Sequence, residues 1–481
     1  MTSRAGVVSC ACFQALMRFL IISIIILLGH AQQVYAQTSV GTQKMKNLVA
    51  VRHIIFEGNK KTKASVLLRE LNVTEGDKIE LKKMDDMAET NRKRLMNLSL
   101  FTEVLVAKDT INDSTVDWRF HVHEQWFIIP EFTLRLADRN INVWWTEKHH
   151  DFRRTNLGVM IKHRNLRGRM EQLSATVQVG YTQKLGLEYF RPYIDKRQQN
   201  GLGASFFFAK NEETFYNTNF NKLQFVRTRG SYVLHQFEAA ALYVHRPGYA
   251  SKHTAELRYR DWEVSDTVVK LNPDYYQNGS TRLKMLEFTY RYDLNKVDNW
   301  NYPLAGHKIV AYGIARQGFV GMGFQGQVML EAGYFKKLAP KTYFSEVFRG
   351  RLTTPQQQPY VYRYAMGSNS EYVRGYEFYV VDGAQYGLFR TDLKYELFNF
   401  SIRDFPLSFL SVIPIRIYPK VFADVGYVSN KYPGNSFLNN RGLVGYGVGV
   451  DLVSAYDFKF RLEYAFNHLG QKNVFLHLNS E

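Results

Sequence analysis

The stretch LSATVQVGY, residues Leu173 to Tyr181, alternates apolar and polar side chains without a break. Successive side chains of a β-strand point to opposite faces, so this alternation predicts a strand with one apolar face and one polar face. The apolar face consists of Leu173, Ala175, Val177, Val179 and Tyr181, and the polar face of Ser174, Thr176, Gln178 and Gly180.

The same pattern recurs along the chain, for example in FKFRLEYAF, Phe458 to Phe466, where the polar face carries Lys459, Arg461 and Glu463. A soluble β-sandwich also shows such alternation. Residues 127-481, however, form one uninterrupted run of strands and turns that is too long for a single sandwich. With about 10 residues per strand and about a dozen per connection, this run accommodates about sixteen membrane-spanning strands.

Aromatic residues support the membrane interpretation. Phenylalanine and tyrosine number 34 and 31 in the 481 residues. They cluster near predicted strand ends, as in YVYRY, Tyr360 to Tyr364, which is typical of interfacial aromatic girdles. The sequence therefore predicts a mainly β protein whose residues 127-481 form a transmembrane antiparallel β-barrel.

The N-terminus has the features of a secretory signal peptide. Arg4 and Arg18 precede or border the apolar run FLIISIIILLG, Phe19 to Gly29, and the small residues of VYA offer cleavage after Ala36. The alternative, a permanent membrane anchor, needs about 20 apolar residues. We predict a signal peptide at residues 1-36 and a linker at 37-50. Both cysteines, Cys10 and Cys12, leave with the signal, so the mature chain is expected to contain no disulfide and no thiolate metal site.

Residues 51-126 predict a small α+β domain. The strand VRHIIF, Val51 to Phe56, is followed by two segments of helical periodicity, ASVLLREL (Ala64 to Leu71) and MDDMAETNRKRLMNL (Met84 to Leu98). Two strands complete the order β-α-α-β-β. In the last of them, Val116, Trp118, Phe120 and Val122 share one face. Two helices are expected to cover one face of the sheet.

The formal net charge is +18, and it falls to +16 once Arg4 and Arg18 are removed with the signal, since 18 − 2 = 16. Such a balance suggests nucleic acid for a cytoplasmic protein. Here the basic residues are dispersed and the chain is predicted to be exported. We therefore interpret the charge as contact with anionic lipid head groups or as the lining of a wet lumen, and we expect no nucleic acid partner.

Signatures of catalysis are missing from the sequence. There is no G-x-S-x-G elbow, and His123-Glu124 does not continue into H-E-x-x-H. His121 and His123 share a strand face and could join a third metal ligand, but a solvated face explains them as well. The run GYGVGV, Gly445 to Val450, is not followed by a helix, and its glycines are expected to let an inserted loop or a neighbouring strand approach closely. We expect no enzyme activity, no cofactor and no metal site.

Several motifs in fixed order resemble the BamA-type family of outer-membrane assembly proteins. They are RNLRG (Arg164 to Gly168), YRYDLNKVDNWNYPLAG (Tyr290 to Gly306), MGSNSEYVRGYEF (Met366 to Phe378), YEL (Tyr395 to Leu397) and VFADVGYV (Val421 to Val428). The resemblance implies one periplasmic POTRA domain at residues 51-126 and a sixteen-stranded barrel whose first and last strands meet at a weak seam. It places the chain in the outer membrane of a Gram-negative bacterium.

The resemblance also implies a functional loop. The sixth extracellular loop would fold back into the lumen and carry Val373, Arg374, Gly375 and Tyr376 at its tip. Arg374 would pair with two carboxylates of the inner wall, Glu396 and Asp424. Arginine suits such sites because its planar guanidinium binds carboxylates bidentately.

Two features depart from the family pattern. There is room for one POTRA domain, whereas such proteins usually carry several. The final strand, NVFLHLNSE, lacks a terminal aromatic residue, and Phe475 and Leu478 are the candidates for its apolar face.

The expected function is an outer-membrane assembly factor that assists insertion and folding of β-barrel proteins, or translocation of polypeptide. The alternatives are a dedicated secretion pore for one exported partner, and a passive porin or structural barrel. The expected partners are unfolded outer-membrane proteins or an exported client, accessory lipoproteins of an assembly machinery, and outer-membrane lipid.

Overall fold

A computed structural model describes residues 48–112, 114–228, 230–367, 371–403, 412–454 and 458–478. The predicted signal peptide at 1-36, both cysteines and most of the predicted linker lie outside these residues. No helix in the described part of the chain is long and apolar enough to cross a membrane.

The N-terminal segment folds as a four-stranded sheet with helices. Its elements are β1 Leu48–Glu57, α1 Ala64–Leu68, β2 Lys78–Glu80, a 3₁₀ turn Leu81–Lys83, α2 Met84–Met96, β3 Phe101–Asn112 and β4 Thr115–Glu124. The strand order in the sheet is β2-β1-β4-β3. The predicted apolar face of β4 is buried, and Trp118 and Phe120 are completely inaccessible.

Two details of this segment differ from the prediction. The sequence analysis missed β2, which is three residues long and pairs with Leu48–Ala50 of β1. A strand this short shows no periodicity of its own and exists because β1 offers it a backbone partner. The first helix ends at Leu68 instead of Leu71.

The rest of the chain supplies the strands of a closed antiparallel barrel, two loop hairpins, and short helices. The helices are α3 Ile141–Thr146 and α4 Asp266–Leu271, with 3₁₀ turns at Phe152–Arg154 and Tyr360–Tyr362. The strands are β5 Ile128–Leu136, β6 Thr155–Leu166, β7 Glu171–Gly180, β8 Thr182–Arg191, β9 Asn200–Asn211, β10 Glu213–Asn219, β11 Lys222–Arg227, β12 Leu234–His245, β13 Ser251–Val264, β14 Arg282–Val297, β15 Gly306–Val320, β16 Phe324–Ala339, β17 Thr342–Thr354, β18 Tyr364–Met366, β19 Val381–Asp382, β20 Gln385–Tyr395, β21 Phe398–Arg403, β22 Val412–Ser429, β23 Gly442–Val453, β24 Lys459–Asn467 and β25 Lys472–Leu478.

The barrel closes where β25 lies beside β5, and we call this junction the seam. Two segments of the barrel, β20 and β21, both pair antiparallel with β22. β20 pairs with residues 420–429 and β21 with residues 412–417. They are therefore two parts of one interrupted strand. Counted this way, the seventeen barrel segments among the described residues form sixteen strands, which agrees with the prediction of about sixteen.

The two faces of the barrel wall differ as the alternation predicted. In β7, Val177 is 55% exposed, and its register partners Val159 of β6 and Leu185 of β8 also face outward. Ser174, three residues before Val177 and on the inward face of β7, is buried. A continuous outward apolar surface of this kind is what a barrel presents to lipid, while its charged side chains face the interior.

Two aromatic assignments from the sequence were wrong. Tyr360 does not lie in an interfacial girdle: it is buried in a 3₁₀ turn and packs with Tyr275 in a loop cluster. Phe475 faces inward from β25 and packs with Phe422 and Ala465, while Val474 faces outward. In both cases the ring packs against other side chains of the protein and not against lipid.

The first prediction concerns the outward face. Replacing Val177 with arginine near the middle of β7 places a charge in the hydrocarbon and should destabilise the barrel by about 2 to 4 kcal/mol. Urea unfolding in lipid vesicles measures this change. The matched variant Thr176→Arg places the same charge on the inward face and should destabilise the barrel far less. Equal losses in both variants would contradict the assignment of faces.

Candidate functional site

The candidate site lies in the connection between β17 and β20, residues 355–384, which we call the inner loop. It joins the eleventh and twelfth strands of the barrel. Near its tip Val373, Arg374 and Tyr376 are each no more than 3% exposed. A loop that extended into solvent would expose these side chains, so the inner loop is folded into the barrel.

Arg374 is held by carboxylates from three strands. Its Nε donates to Asp424 Oδ2 at 2.8 Å, and its Nη2 donates to the other oxygen of the same carboxylate. Its Nη1 donates to Asp392 Oδ1 at 2.6 Å and to Glu463 Oε1 at 3.3 Å. The backbone N–H of Arg374 adds a bond of 3.0 Å to Asp424. The contact with Asp424 is thus bidentate, which is the strong geometry for an arginine and carboxylate pair.

These carboxylates come from the inward faces of three strands, of which β20 and β22 are neighbours and β24 is separated from β22 by β23. Asp392 lies on β20, Asp424 on β22 and Glu463 on β24. Asp424 and Glu463 are fully buried, while the adjacent Leu462 faces outward. The guanidinium of Arg374 also lies 4.0 Å above the ring of Phe422. The arginine therefore ties the loop to three strands of the wall at one point.

A wider network of charges surrounds this contact. Lys420 Nζ lies 2.8 Å from Glu463 Oε1 and 2.8 Å from Asp451 Oδ1, and Arg461 Nε lies 3.1 Å from the same Asp451 oxygen. Arg390 donates to the backbone carbonyl of Tyr372. Buried charges are tolerated when each has partners of opposite sign. The network places both signs close together, so the lumen can hold ionised groups out of water.

Glycines allow the loop to approach the wall. Gly375 has a φ of 94°, in the left-handed region that favours glycine. A Cβ on Gly445 of β23 would lie 1.8 Å from the backbone oxygen of Arg374. This confirms the expectation that a glycine of the GYGVGV run makes room for an inserted loop. The Asn467 side chain donates to the Gly375 carbonyl at 2.7 Å.

Val373 and Tyr376 anchor the tip on either side of Arg374. Val373 packs in a buried apolar cluster with Leu388 and Val428 of the wall. The Tyr376 hydroxyl contacts the ring nitrogen Nδ1 of His468 and lies 3.4 Å from the Val444 carbonyl oxygen. All four residues of the V-R-G-Y element are therefore buried against the wall in the structure.

Two other loops bind the backbone of the inner loop through hydrogen bonds. Arg139, in the connection between β5 and β6, donates to the carbonyl oxygens of Gly367 and Tyr379, both at 2.8 Å. In the hairpin of β10 and β11, Asn221 donates to the Val380 carbonyl at 2.7 Å and Lys222 to the Phe378 carbonyl at 2.8 Å. These contacts were not predicted, because nothing in the local sequence of Arg139 or Asn221 identifies a partner more than 150 residues away.

The pairing of Arg374 with Glu396 was wrong. Glu396 lies past the end of β20 and accepts a hydrogen bond from the Tyr418 hydroxyl at 3.2 Å. Six residues of β22 separate Tyr418 from Asp424, and at about 3.3 Å per residue this is about 20 Å along the strand. Glu396 was assigned to the correct face, because it points inward like Asp392. It lies too far from Arg374 along the barrel axis to form an ion pair with it.

Asp392 and Glu463 take the position that the sequence analysis gave to Glu396. A signal for both was present. Glu463 lies on the charged face of the alternating stretch Phe458 to Phe466, and Asp392 lies four residues before Glu396, on the same face. The alternation along each strand identifies the acids that point inward. Only the register between strands shows which of them lie at the level of Arg374 along the barrel axis.

The second prediction tests the geometry of this contact. Asp424→Asn replaces the bidentate carboxylate partner of the buried guanidinium with a neutral amide, while Asp392 and Glu463 remain, and should destabilise the barrel by about 3 kcal/mol, the lower end for a broken buried ion pair. The matched variant Glu396→Gln removes a carboxylate of similar parity that does not contact Arg374, and should change stability little. Heat- or urea-induced unfolding of the detergent-purified chains measures both. A larger loss for Glu396→Gln would overturn the assignment.

Comparisons with known proteins agree with this architecture. Residues 49–125 match the POTRA family model, described as a surface antigen variable number repeat, and residues 165–474 match the Omp85 superfamily domain. No curated protein sequence matches the chain.

Two solved structures are similar in fold. BamA from Haemophilus ducreyi lacking POTRA domains 1-3 has a TM-score of 0.50 at 14% identity, with 92% of this chain and 84% of that chain covered. CdiB from Escherichia coli has a TM-score of 0.54 at 10% identity, with 89% of this chain and 75% of that chain covered.

The Omp85 match covers more than half of the 481 residues. It extends over the inner loop and over the strands that carry Asp392, Asp424 and Glu463. The chain therefore belongs to the Omp85 superfamily, a family of non-enzymatic outer-membrane β-barrel proteins that act in assembly and translocation.

Proposed function

We propose that this protein is an assembly factor that assists the insertion and folding of β-barrel proteins at the outer membrane of a Gram-negative bacterium. The observation that carries the proposal is the contact of Arg374 with Asp392, Asp424 and Glu463. It fixes the inner loop against the strands that lead to the seam. In this proposal the loop keeps the lumen and the last strands in the shape that clients require.

The seam supplies the second element of the mechanism. A client strand enters lipid at low energy only when its backbone N–H and C=O groups are paired. The unpaired edge of an opened seam would offer such partners. Pro130 within β5 supports an opening there, because proline removes a ladder donor and is typical of edge strands.

The N-terminal sheet supplies a place for the client before insertion. We propose residues 51-126 as a periplasmic POTRA domain, residues 127-481 as the barrel, and residues 1-36 as the signal peptide. In the sheet, β3 lies at one edge, and β2 covers only the first residues of β1 at the other. An exposed edge can accept an extended segment by strand addition. Unfolded outer-membrane proteins are the proposed clients, with accessory lipoproteins as further partners.

The inner loop inside the barrel supports this function over a passive pore. Loops fill part of the interior, and the tip of the inner loop is held by at least five hydrogen bonds from Arg374 alone. A passive porin needs a permanently open channel and no domain for gripping polypeptide. A dedicated secretion pore for one exported partner remains the second candidate, since it would use the same lumen and the same N-terminal sheet.

The third prediction tests the proposal in cells. In a strain that depends on a plasmid-borne copy, Arg374→Ala should lower the amounts of many outer-membrane barrels when the variant itself is present at the normal level. Arg374→Lys should restore only part of the function, because lysine keeps the charge but lacks the planar fork. Quantitative mass spectrometry of outer-membrane fractions measures the effect.

The control is Arg363→Ala, which removes an arginine of the same loop that contacts Gln358 and Asp274 instead of the three carboxylates. It should leave barrel levels near those of the unaltered protein. If only one exported protein disappears on Arg374→Ala, the chain is a dedicated secretion pore. Unchanged levels of all clients would refute the role of the loop contact.

A further inference from the structure

Beside the Arg374 contact lies a second cluster of ligand-type side chains, formed by Glu377, Glu463 and His477. Glu377 follows the V-R-G-Y tip, Glu463 lies on β24 and His477 on β25. His477 Nε2 lies 3.7 Å from Glu377 Oε1 and 3.6 Å from Glu463 Oε2. One ligand atom from each residue lies within 4.8 Å of the other two.

The two carboxylates have one satisfied and one unsatisfied oxygen each. Glu377 Oε2 accepts from the Gly375 backbone N–H at 2.7 Å, and Glu463 Oε1 faces Arg374 and Lys420. Glu377 Oε1 and Glu463 Oε2 accept no hydrogen bond from the described residues, although both residues are at most 1% exposed. Leaving a buried carboxylate oxygen without a donor is unfavourable, so a cation or a proton between these atoms would stabilise the site.

We propose that Glu377, Glu463 and His477 bind a first-row divalent cation, with Zn²⁺ as the best fit. Zinc bonds of about 2.1 Å in a tetrahedron separate neighbouring ligand atoms by about 3.4 Å. The two distances from His477 Nε2 are close to this value, and the two carboxylate oxygens lie within 4.8 Å of each other, so the three ligands are near enough to close on one cation. One imidazole nitrogen with two carboxylate oxygens is a zinc-type ligand set, whereas Ca²⁺ and Mg²⁺ favour oxygen ligands and higher coordination numbers.

The surroundings orient the histidine. The ring of Tyr372 stacks on the imidazole with centroids 5.5 Å apart and an angle of 19° between the planes. The Tyr372 hydroxyl lies 3.4 Å from both imidazole nitrogens, Nδ1 and Nε2. The stacked tyrosine ring restricts the orientation of the imidazole. Three protein ligands leave a fourth position for water or for a client group.

The ligands come from three parts of the molecule that the proposed function would move. Glu377 belongs to the inner loop, Glu463 also contacts Arg374, and His477 lies on β25, which forms one side of the seam. A bound cation would therefore link the closing strand to the loop contact. Metal binding is a property of the purified chain and does not depend on the identity of any client.

The fourth prediction tests this site on the tag-free, full-length chain in detergent. After chelator treatment and dialysis against a low-micromolar concentration of Zn²⁺, elemental analysis should find one retained zinc per chain. Glu377→Gln and His477→Gln should each weaken zinc retention by at least about tenfold. The matched control His245→Gln removes a half-buried histidine on β12 that contacts Asn200, and should retain the metal.

Substitution by Co²⁺ gives a readout that does not depend on any variant folding. The unaltered chain should show the visible absorption of tetrahedral cobalt with nitrogen and oxygen ligands. Absence of retained zinc together with absence of this spectrum would overturn the proposal, and the positive group would then be a proton on His477 or on one of the carboxylates. Retention of zinc by both Glu377→Gln and His477→Gln would overturn it as well.

Discussion

The burial of one positive charge determines how the interior of this barrel is arranged. A guanidinium removed from water is unfavourable by several kcal/mol unless carboxylates and hydrogen bonds replace its hydration. Arg374 obtains this compensation from β20, β22 and β24 together. The loop must therefore reach a point where three strands present acids at the same height. Gly445 then has to lack a side chain, because the Arg374 backbone crosses β23 at that position.

The two faces of the barrel wall meet different environments, and this explains why such a network can exist inside a membrane protein. Outward residues such as Val177 meet hydrocarbon, and inward residues meet a lumen in which acids and bases pair with one another. Lys420 contacts both Glu463 and Asp451, so it connects the Arg374 contact to the next acid along the wall. Charges in the lumen thus stabilise one another without any contact with lipid.

The inner loop is held from two sides by different kinds of interaction. Arg374 fixes its tip to the wall through ion pairs, whereas Arg139 and Asn221 hold its backbone through carbonyl oxygens. Neighbouring ion pairs and hydrogen bonds in a buried network depend on one another, so the loop is expected to leave the wall as a unit. Phe475 and His477 place the closing strand in contact with the loop. This connects the state of the loop to the state of the seam.

The sequence by itself indicated the alternating barrel strands and their two faces, and its resemblance to a known family indicated the loop arginine. Alternation with a period of two is a local property, and it is enough to tell that Asp392, Glu396 and Glu463 are inward. The tertiary structure decided which of these acids meets Arg374, because register and position along the strand are properties of pairs of strands. It also brought together Glu377, Glu463 and His477, which the sequence separates by 86 and 14 residues. The sequence of one strand is enough to show on which face a residue lies. Its position along the barrel axis depends on how all sixteen strands pair.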